Sequence, residues 1–205
     1  MVNMQLICND CFSGFLNQKL NREFENPFYW SRIYAKDFAK LVNEYDKINF
    51  AKIRIALNRD FNREFVTWPC DAQSPVIICN GIRIFYNHYK YSETDTVPRK
   101  EPPDIYYNKN YIYCVEKWFA RLRRMTPEKP TILFHWNNIA NDSEEDVRKV
   151  ITACRDKNYK LIFVADKEVP IYGNATFIRV KDAESTAVNQ QVDETFQEIT
   201  RLINE

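Results

Sequence analysis

The chain has 205 residues, of which 45% are hydrophobic, and this is enough to bury a sizeable core without the help of disulfides. Lys and Arg number 29 against 28 Asp and Glu, so the net charge of +1 provides no global field to attract nucleic acid or an acidic membrane. We therefore expect a single domain spanning 1–205, with no nucleic-acid partner and with any anion site confined to a local cluster.

The amino-terminal sequence and the cysteines predict the cellular compartment. The first ten residues, "MVNMQLICND", lack the basic region and long apolar region of a secretory signal. No apolar run approaches the ~20 residues of a membrane span. We therefore expect a cytoplasmic protein without a membrane span. Its six cysteines are then expected to be reduced thiols; they are Cys8, Cys11, Cys70, Cys79, Cys114 and Cys154.

The first half of the chain predicts a strand, two helices, a further strand and a hairpin. "MQLICN" is a buried-strand pattern, and "DCFSGFLNQKL" after it carries large apolar residues at helical spacing. "YAKDFAKLVNEYDKI" predicts a second helix and "AKIRIAL" a strand, which a loop-rich section follows through "TWPCDAQSP". "VIIC" and "RIFYNHY" flank Gly81, and this arrangement predicts a hairpin.

The second half predicts alternating helices and strands. "SETDTVPRKEPPDIYYNK" is polar and rich in proline and predicts a loop, while "YIYCVEKWFARLRRM" predicts a long helix. The strands "TILFHW", "KLIFVA" and "ATFIRV" are interrupted by a helix that begins after Ser143, with Asp146 in the capping-box position. The amphipathic helix "VDETFQEITRLI" closes the chain. This alternation predicts an α/β fold, Rossmann-like and three-layered, with a largely parallel central sheet and helices on both faces.

The turn after the first strand is the predicted binding element. Ligands of such sheets usually bind beyond the carboxyl ends of the strands, where helix N-termini present their N–H groups. Asn9, Asp10 and Cys11 would occupy this turn, and Gly14 would follow early in the helix, where the lack of a side chain permits close approach. A simpler interpretation is that Asn9 or Asp10 only caps the helix.

Several other kinds of site fit the sequence poorly. A C-x-x-C redox site is weakened because Cys8 would lie inside the strand instead of at the exposed turn. A zinc site would need a second pair of ligands, and neither His88 nor His135 has a cysteine or histidine partner at short spacing. The three glycines are scattered and form no phosphate-binding loop, and the Asp-x-Asp pair of metal-dependent glycosyltransferases is missing. We therefore expect no metal and no cofactor.

Two further groups are candidates for a site. His88 and Tyr89 end a predicted strand, and a histidine there can act as a general base near neutral pH, although a lone histidine is often structural. Arg121 and Arg124 are three residues apart on a predicted helix, one turn after Trp118, which suits the binding of a phosphate or carboxylate over an aromatic ring. An ordinary solvated basic face is the alternative, because Lys117 and Arg123 extend the charge around the helix.

These motifs, in their order, resemble a bacterial family of unknown function that is commonly labelled exopolysaccharide biosynthesis protein. The resemblance covers nearly the whole chain, through "ICNDCFSGF", "NPF", "PVIICNGIRIFYNHY", "KWFARLRRM" and "TILFHWNN". The first turn departs from the family pattern at Cys8, Asp10, Phe12 and Ser13. The residues that match it are Asn9, Cys11, Gly14, His88, Tyr89, Trp118, Arg121 and Arg124.

The resemblance implies a role in cell-surface polysaccharide biosynthesis and a Rossmann-like fold. Together with the candidate residues, it predicts a metal-independent, transferase-like protein that binds a sugar nucleotide or a phosphorylated saccharide. In this hypothesis His88 and Asp10 are catalytic, the first turn binds hydroxyl or phosphate oxygens, and Arg121 and Arg124 neutralise the anion. The alternative is a non-catalytic saccharide-binding or scaffold subunit of an assembly complex.

Overall fold

The computed structural model describes residues 5–22, 26–57, 75–86, 103–126, 128–136, 142–181 and 188–205. Within these ranges the strands are β1 (Leu6–Cys8), β2 (Ser31–Arg32), β3 (Ile53–Leu57), β4 (Pro75–Cys79), β5 (Ile82–Tyr86), β6 (Thr131–Trp136), β7 (Leu161–Ala165) and β8 (Ala175–Arg179). The α-helices are α1 (Phe12–Lys19), α2 (Ala35–Glu44), α3 (Pro103–Leu122), α4 (Glu144–Lys157) and α5 (Val188–Asn204), and a 3₁₀ turn, Tyr45–Lys47, follows α2.

Four strands form a parallel sheet in the order β1-β6-β7-β8. In its register Ile7 lies opposite Ile132, and Phe163 lies opposite both Phe134 and Phe177. Because all four strands run in the same direction, the carboxyl ends of β1 and β6 lie side by side at one edge of this sheet. The residues that directly follow β1 therefore meet the last residues of β6.

Apolar side chains cover both faces of the parallel sheet. Cys8, Leu133 and Val164 belong to a core cluster that α1 and α5 complete. Phe134 and Phe163 point to the opposite face and share a larger cluster with α2, α4 and the second sheet. This burial on both faces explains why the strands read as nearly continuous apolar runs instead of alternating with polar residues.

The remaining strands form a separate antiparallel sheet, in the order β2-β5-β4-β3. The predicted hairpin is confirmed, and its turn uses Asn80 and Gly81 with φ of 51° and 76°. Two consecutive positive φ values are the requirement of a type I′ hairpin turn, which Asn-Gly meets at low cost. The prediction of one largely parallel sheet is thus corrected. The fold is α/β, but only half of the described strands form the parallel sheet, and the Asn80–Gly81 turn joins β4 and β5 as antiparallel neighbours without a crossover helix.

The predicted boundaries of α3 are also corrected. We expected a loop through Lys109 and a helix over residues 111–125, whereas α3 begins at Pro103 and ends at Leu122. Proline favours the first position of a helix, where its missing N–H group costs nothing. The proline-rich composition therefore marks the start of this helix and not a loop that runs past it.

The two carboxyl-terminal helices agree with their predicted patterns. The hydroxyl of Ser143 accepts a hydrogen bond from the Asp146 amide at 3.1 Å and donates one to the Asp146 carboxylate at 2.9 Å, so the predicted cap of α4 is confirmed. In α5 the predicted inner residues Val192, Ile199 and Leu202 are buried, and the fourth, Phe196, is half-buried. Among the helices in the described ranges, none has the length and apolar character needed to cross a membrane.

Candidate functional site

The first turn, residues 9–11, is joined directly to the end of β6 by the side chain of Asn9. The Asn9 amide nitrogen donates to the His135 carbonyl at 3.0 Å, and the amide of His135 donates to the Asn9 side-chain oxygen at 2.8 Å. Asn9 thus continues the pairing between β1 and β6 by one residue after β1 has ended. The side chain predicted to bind substrate instead fixes the turn against the next strand.

Asp10 and His135 form a buried carboxylate–imidazole pair at this edge. Asp10 Oδ2 lies 2.6 Å from His135 Nδ1, and the Phe12 amide donates to Asp10 Oδ1 at 2.9 Å. The two side chains are only 4% and 0% exposed, and the His135 ring packs against Phe12 with the ring centroids 4.9 Å apart. Phe12 of α1 and Asp10 of the first turn therefore hold the imidazole in one orientation.

The charges around Asp10 determine the state of the pair. Burial alone would raise the pKa of the Asp10 carboxyl, but the charge and hydrogen bond of His135, the charge of Arg32 and the Phe12 amide together hold this pKa below its ordinary value. Asp10 is therefore a carboxylate at neutral pH, and it accepts a hydrogen from His135 Nδ1. Because Nδ1 is held by Asp10, Nε2 is the ring nitrogen that remains for exchange of a proton with another group.

His135 Nε2 is buried, and in the part of the chain that the structure describes it has no hydrogen-bond partner. Buried polar atoms in proteins are nearly always paired with protein, water or ligand. Nε2 is thus the open nitrogen of a carboxylate-oriented imidazole, and no described residue supplies a hydrogen-bond partner for it.

Two more charged residues, Arg32 and Asp142, lie at the same edge, next to the connection between β2 and α2. The amide of Ile33 donates to the Asn9 carbonyl at 2.7 Å, and the amide of Ala35 donates to Asp142 Oδ1 at 2.8 Å. Arg32, next to Ile33, is 9% exposed, and its positive charge lowers the pKa of both Asp10 and Asp142. Arg32 therefore contributes positive charge to this edge.

Asp142 titrates differently from Asp10. Burial raises the pKa of its carboxyl to about 6, and the negative charges of Asp146 and Asp10 add to the rise, while the Ala35 amide and Arg32 oppose it. The edge thus combines two carboxyl groups with opposite pKa shifts, an imidazole and a guanidinium. Such a set can hold, accept and release protons near neutral pH.

Residues 2–98 match a family model described as a domain of unknown function, DUF1919. No curated protein matches the chain. The DUF1919 match covers slightly less than half of the chain and includes Asp10 and Arg32, whereas His135 and Asp142 lie after it. It agrees with the expected family of unknown function, and the exopolysaccharide label stays a prediction.

The two cysteines of the C-x-x-C lie where the sequence places them. Cys8 is buried in β1, and Cys11 is the N-cap residue of α1. Burial, followed by the charge of Asp10, raises the pKa of the Cys8 thiol well above its ordinary value. Because the thiolate is the reactive form, Cys8 is a poor redox nucleophile. The Cys8 thiol instead lies 3.7 Å from Asp10 Oδ1 as a weak donor.

Gly14 permits a close approach, as expected, and the group that approaches is the indole of Trp30. A Cβ atom at position 14 would lie 2.5 Å from Trp30 Cδ2, inside any real contact distance. Trp30 itself has a φ of 63°, which is rare for a bulky residue, and its ring meets the ring of Phe15 edge-on at 4.8 Å. The glycine therefore serves the packing of α1 against the segment that leads into β2.

The aromatic and basic residues predicted on α3 have different surroundings. Trp118 is buried and donates from its indole nitrogen to the Phe50 carbonyl at 2.9 Å. Arg121 is 6% exposed and donates to the Tyr29 carbonyl at 2.9 Å, whereas Arg124 is exposed. Arg121 lies in the last turn of α3, whereas Arg124 follows the end of the helix at Leu122, so the predicted common helix face is corrected and the two arginines have different environments.

His88 and Tyr89 lie outside the described residues, two and three positions after the end of β5.

Sequence reasoning missed His135, Arg32 and Asp142 as members of the site. A signal for His135 was present, because it is the one titratable residue in the apolar strand "TILFHW". Within the described ranges, no group of three or more His, Cys, Asp or Glu side chains is arranged to hold a metal ion.

Proposed function

We propose that the chain is a metal-independent, transferase-like protein of cell-surface polysaccharide biosynthesis in which His135 is the general base. The observation that carries the proposal is the buried Asp10–His135 pair at the carboxyl ends of two adjacent parallel strands. A sugar nucleotide or phosphorylated saccharide is the substrate class that the family resemblance implies. The Rossmann-like, three-layer arrangement belongs to this proposal as well.

The geometry supports a base at Nε2 for three reasons. Asp10 fixes the Nδ1 hydrogen and stabilises the positive charge that the ring gains when Nε2 takes a proton. Phe12 fixes the ring plane, so that the lone pair keeps one direction. The burial of the pair strengthens its electrostatic interaction with a reacting hydroxyl once that hydroxyl has replaced water.

In the proposed reaction an acceptor hydroxyl approaches Nε2 and gives up its proton as its oxygen attacks the sugar. Arg32 supplies positive charge at the same edge for an anionic part of the donor. Arg121, which sequence reasoning assigned to the anion, already donates to a carbonyl oxygen. The catalytic role of His88 stays a prediction, and it can be tested together with that of His135.

The chain contains only two histidines, which makes the test direct. His135→Gln, His88→Gln and Asp10→Asn are compared with the unmodified protein on a panel of UDP-glucose, UDP-N-acetylglucosamine, GDP-mannose and glucose 1-phosphate. Release of the leaving group measures turnover, and thermal shift measures binding. Asp10→Asn tests the same base independently of packing, because its side-chain amide would donate to Nδ1 and move the ring hydrogen to Nε2.

We expect His135→Gln and Asp10→Asn to keep the ligand-induced thermal shift and to lose a factor of ~10² to 10⁴ in kcat. Undiminished turnover in both variants contradicts a base at position 135, and a loss confined to His88→Gln would transfer the role to that residue. Binding of a panel member without turnover by the unmodified protein would instead favour the non-catalytic saccharide-binding subunit.

A further inference from the structure

Asn9 connects the two members of the buried pair by a route other than their own contact. It directly precedes Asp10 in the first turn, and its side chain bonds to both backbone groups of His135. The contact of Asp10 Oδ2 with His135 Nδ1 at 2.6 Å completes a closed ring of contacts through the three residues. In such a ring, a movement of the first turn relative to β6 changes the distance between Oδ2 and Nδ1.

The carboxamide of Asn9 takes the place of a peptide group. β1 and β6 pair in parallel as far as Cys8 and Leu133, and β1 then ends. Two residues further along β6, the N–H and C=O groups of His135 bond to the Asn9 side chain instead of to a further residue of the strand, at 2.8 and 3.0 Å. A carboxamide offers one acceptor and donors in one plane, as a peptide group does, and it satisfies two buried backbone groups at once.

The main chain of Asn9 is fixed as well. Its carbonyl accepts the Ile33 amide at 2.7 Å, so the turn is bonded to the β2–α2 connection on one side and to β6 on the other. Asn9 is only 4% exposed, and both polar atoms of its side chain bond to His135. It therefore acts on a reaction through His135 and not by touching substrate.

We propose that Asn9 is the positioning residue of the proposed base, because its carboxamide holds the His135 backbone where the imidazole keeps its contact with Asp10. This inference rests on the proposed function and deepens it, since it names the group that sets the geometry of proton transfer. A displacement of ~1 Å remote from the reacting atoms can lower a rate ~10²-fold. Loss of the Asn9 carboxamide should therefore slow turnover and leave substrate binding intact.

Asn26 provides a matched control for the loss of a buried carboxamide. It is fully buried, its Nδ2 donates to the Leu6 carbonyl at 2.7 Å, and its Oδ1 accepts the Phe28 amide hydrogen at 3.0 Å. Like Asn9, it bonds to one backbone carbonyl and one backbone amide beside β1, but neither bond reaches the buried pair. Asn9→Ala and Asn26→Ala each leave two buried backbone groups without their partner, so both should lower the midpoint of thermal unfolding by similar amounts.

The direct readout is the hydrogen between His135 Nδ1 and Asp10, observed by NMR of protein that carries isotope-labelled histidine. The chain has two histidines, and His135→Gln identifies the signal. A hydrogen held between an imidazole and a carboxylate in a buried contact of 2.6 Å resonates far downfield and exchanges slowly with water. We expect this signal in the unmodified protein and in Asn26→Ala, and its loss through fast exchange in Asn9→Ala.

Turnover on the panel of nucleotide sugars and glucose 1-phosphate gives the second readout. Asn9→Ala should lower kcat ~10²-fold and change KM by less than ~3-fold, because it displaces the base and removes no contact with substrate. Asn26→Ala should keep both constants of the unmodified protein. An unchanged Nδ1 signal in folded Asn9→Ala contradicts the inference, and so does an equal loss of the signal in Asn26→Ala.

Hydrogen exchange of the unmodified protein tests the inference if Asn9→Ala does not fold. Opening of the Asn9 contact frees the His135 amide hydrogen and the Nδ1 hydrogen together, so the exchange of both should depend on urea in the same way. An Nδ1 hydrogen that stays protected where the His135 amide already exchanges would overturn the positioning role.

The outcomes separate this inference from the function on which it rests. If the Nδ1 signal is lost in Asn9→Ala but His135→Gln keeps full turnover, Asn9 does position the pair, and the proposed function falls. If His135→Gln loses turnover while Asn9→Ala keeps both the signal and kcat, the base stands and Asn9 is only a structural link between β1 and β6.

Discussion

The two ends of the strands in the parallel sheet, called here the carboxyl edge and the amino edge, hold polar groups of different kinds. At the carboxyl edge, Asp10 and His135 are buried and face each other as titratable partners. At the amino edge, Tyr45 donates to the Gln5 side chain at 2.7 Å, and Asp46 accepts from Tyr159 at 3.0 Å while its own side chain stays 61% exposed. The carboxyl edge thus buries charge, whereas the amino edge leaves its charge in water.

This difference is informative because burying charge is expensive for a fold. A buried carboxylate needs a charged or strongly hydrogen-bonded partner to offset its loss of solvent. Both edges close the same sheet, so folding alone does not require a buried ionisable pair at either of them. The carboxyl edge is also where parallel α/β sheets bind their ligands, and the contrast therefore supports a functional origin for the Asp10–His135 pair.

Of the substitutions that test this difference, Asp10→Ala should lower the free energy of unfolding most. The substitution leaves His135 Nδ1 and the Phe12 amide buried without their shared partner. We expect it to lower the free energy of unfolding by ~3 to 5 kcal/mol. Asp46→Ala, at the exposed edge, should cost ~1 kcal/mol or less. Urea denaturation measures both, and equal losses would mean that the two edges do not differ energetically.

The pH dependence of the Asp10 effect has a definite sign. The folded pKa of Asp10 lies below the unfolded value, so its stabilisation is complete above the unfolded pKa of about 3.9 and is lost as the pH falls through the lower folded pKa. The difference between the unmodified protein and Asp10→Ala should accordingly be constant near neutrality and shrink in acid.

Asp142→Asn should give the opposite pH dependence. The folded pKa of Asp142 is raised to about 6, so its contribution is complete below the unfolded pKa and is lost as the pH rises through about 6. Asp142→Asn should match the unmodified protein near pH 4 and exceed its free energy of unfolding above pH 6 by up to ~3 kcal/mol, the equivalent of a rise from the ordinary 3.8 to about 6. Denaturation at a series of pH values measures this. A pH-independent difference would place Asp142 outside the charged cluster.

The smallest expected effects are those of two glycine substitutions, one in α1 and one just before β8. Gly14→Ala would drive a methyl group into the Trp30 indole and should cost ~1 to 3 kcal/mol. Gly173, before β8, has a φ of +74°, but a methyl group there would meet Arg155 only at 3.4 Å, so Gly173→Ala should cost ~1 kcal/mol. Thermal unfolding measures both losses. A larger loss at position 173 would show that the Trp30 contact relaxes easily.

Local sequence patterns predicted most of the elements of this fold. The spacing of Phe12 and Leu16 was enough for α1, and the Ser143 cap was enough for the start of α4, because both signals depend on neighbours within one turn. The hairpin of β4 and β5 was predicted, but the separate antiparallel sheet that it forms with β2 and β3 was not, since period and composition do not reveal which distant strands pair. β2 has only two residues and carries no period at all.

The sequence by itself determined that the first turn follows a buried strand and opens a helix, and it marked Asn9, Asp10 and Cys11 as members of that turn. Only the tertiary structure decided their partners. Asp10 and His135 are 125 positions apart in the chain, and the parallel pairing of β1 with β6 places them 2.6 Å from each other. Nothing local to either residue specifies that contact, because strand pairing is decided by the burial of whole faces and not by the residues at the edge.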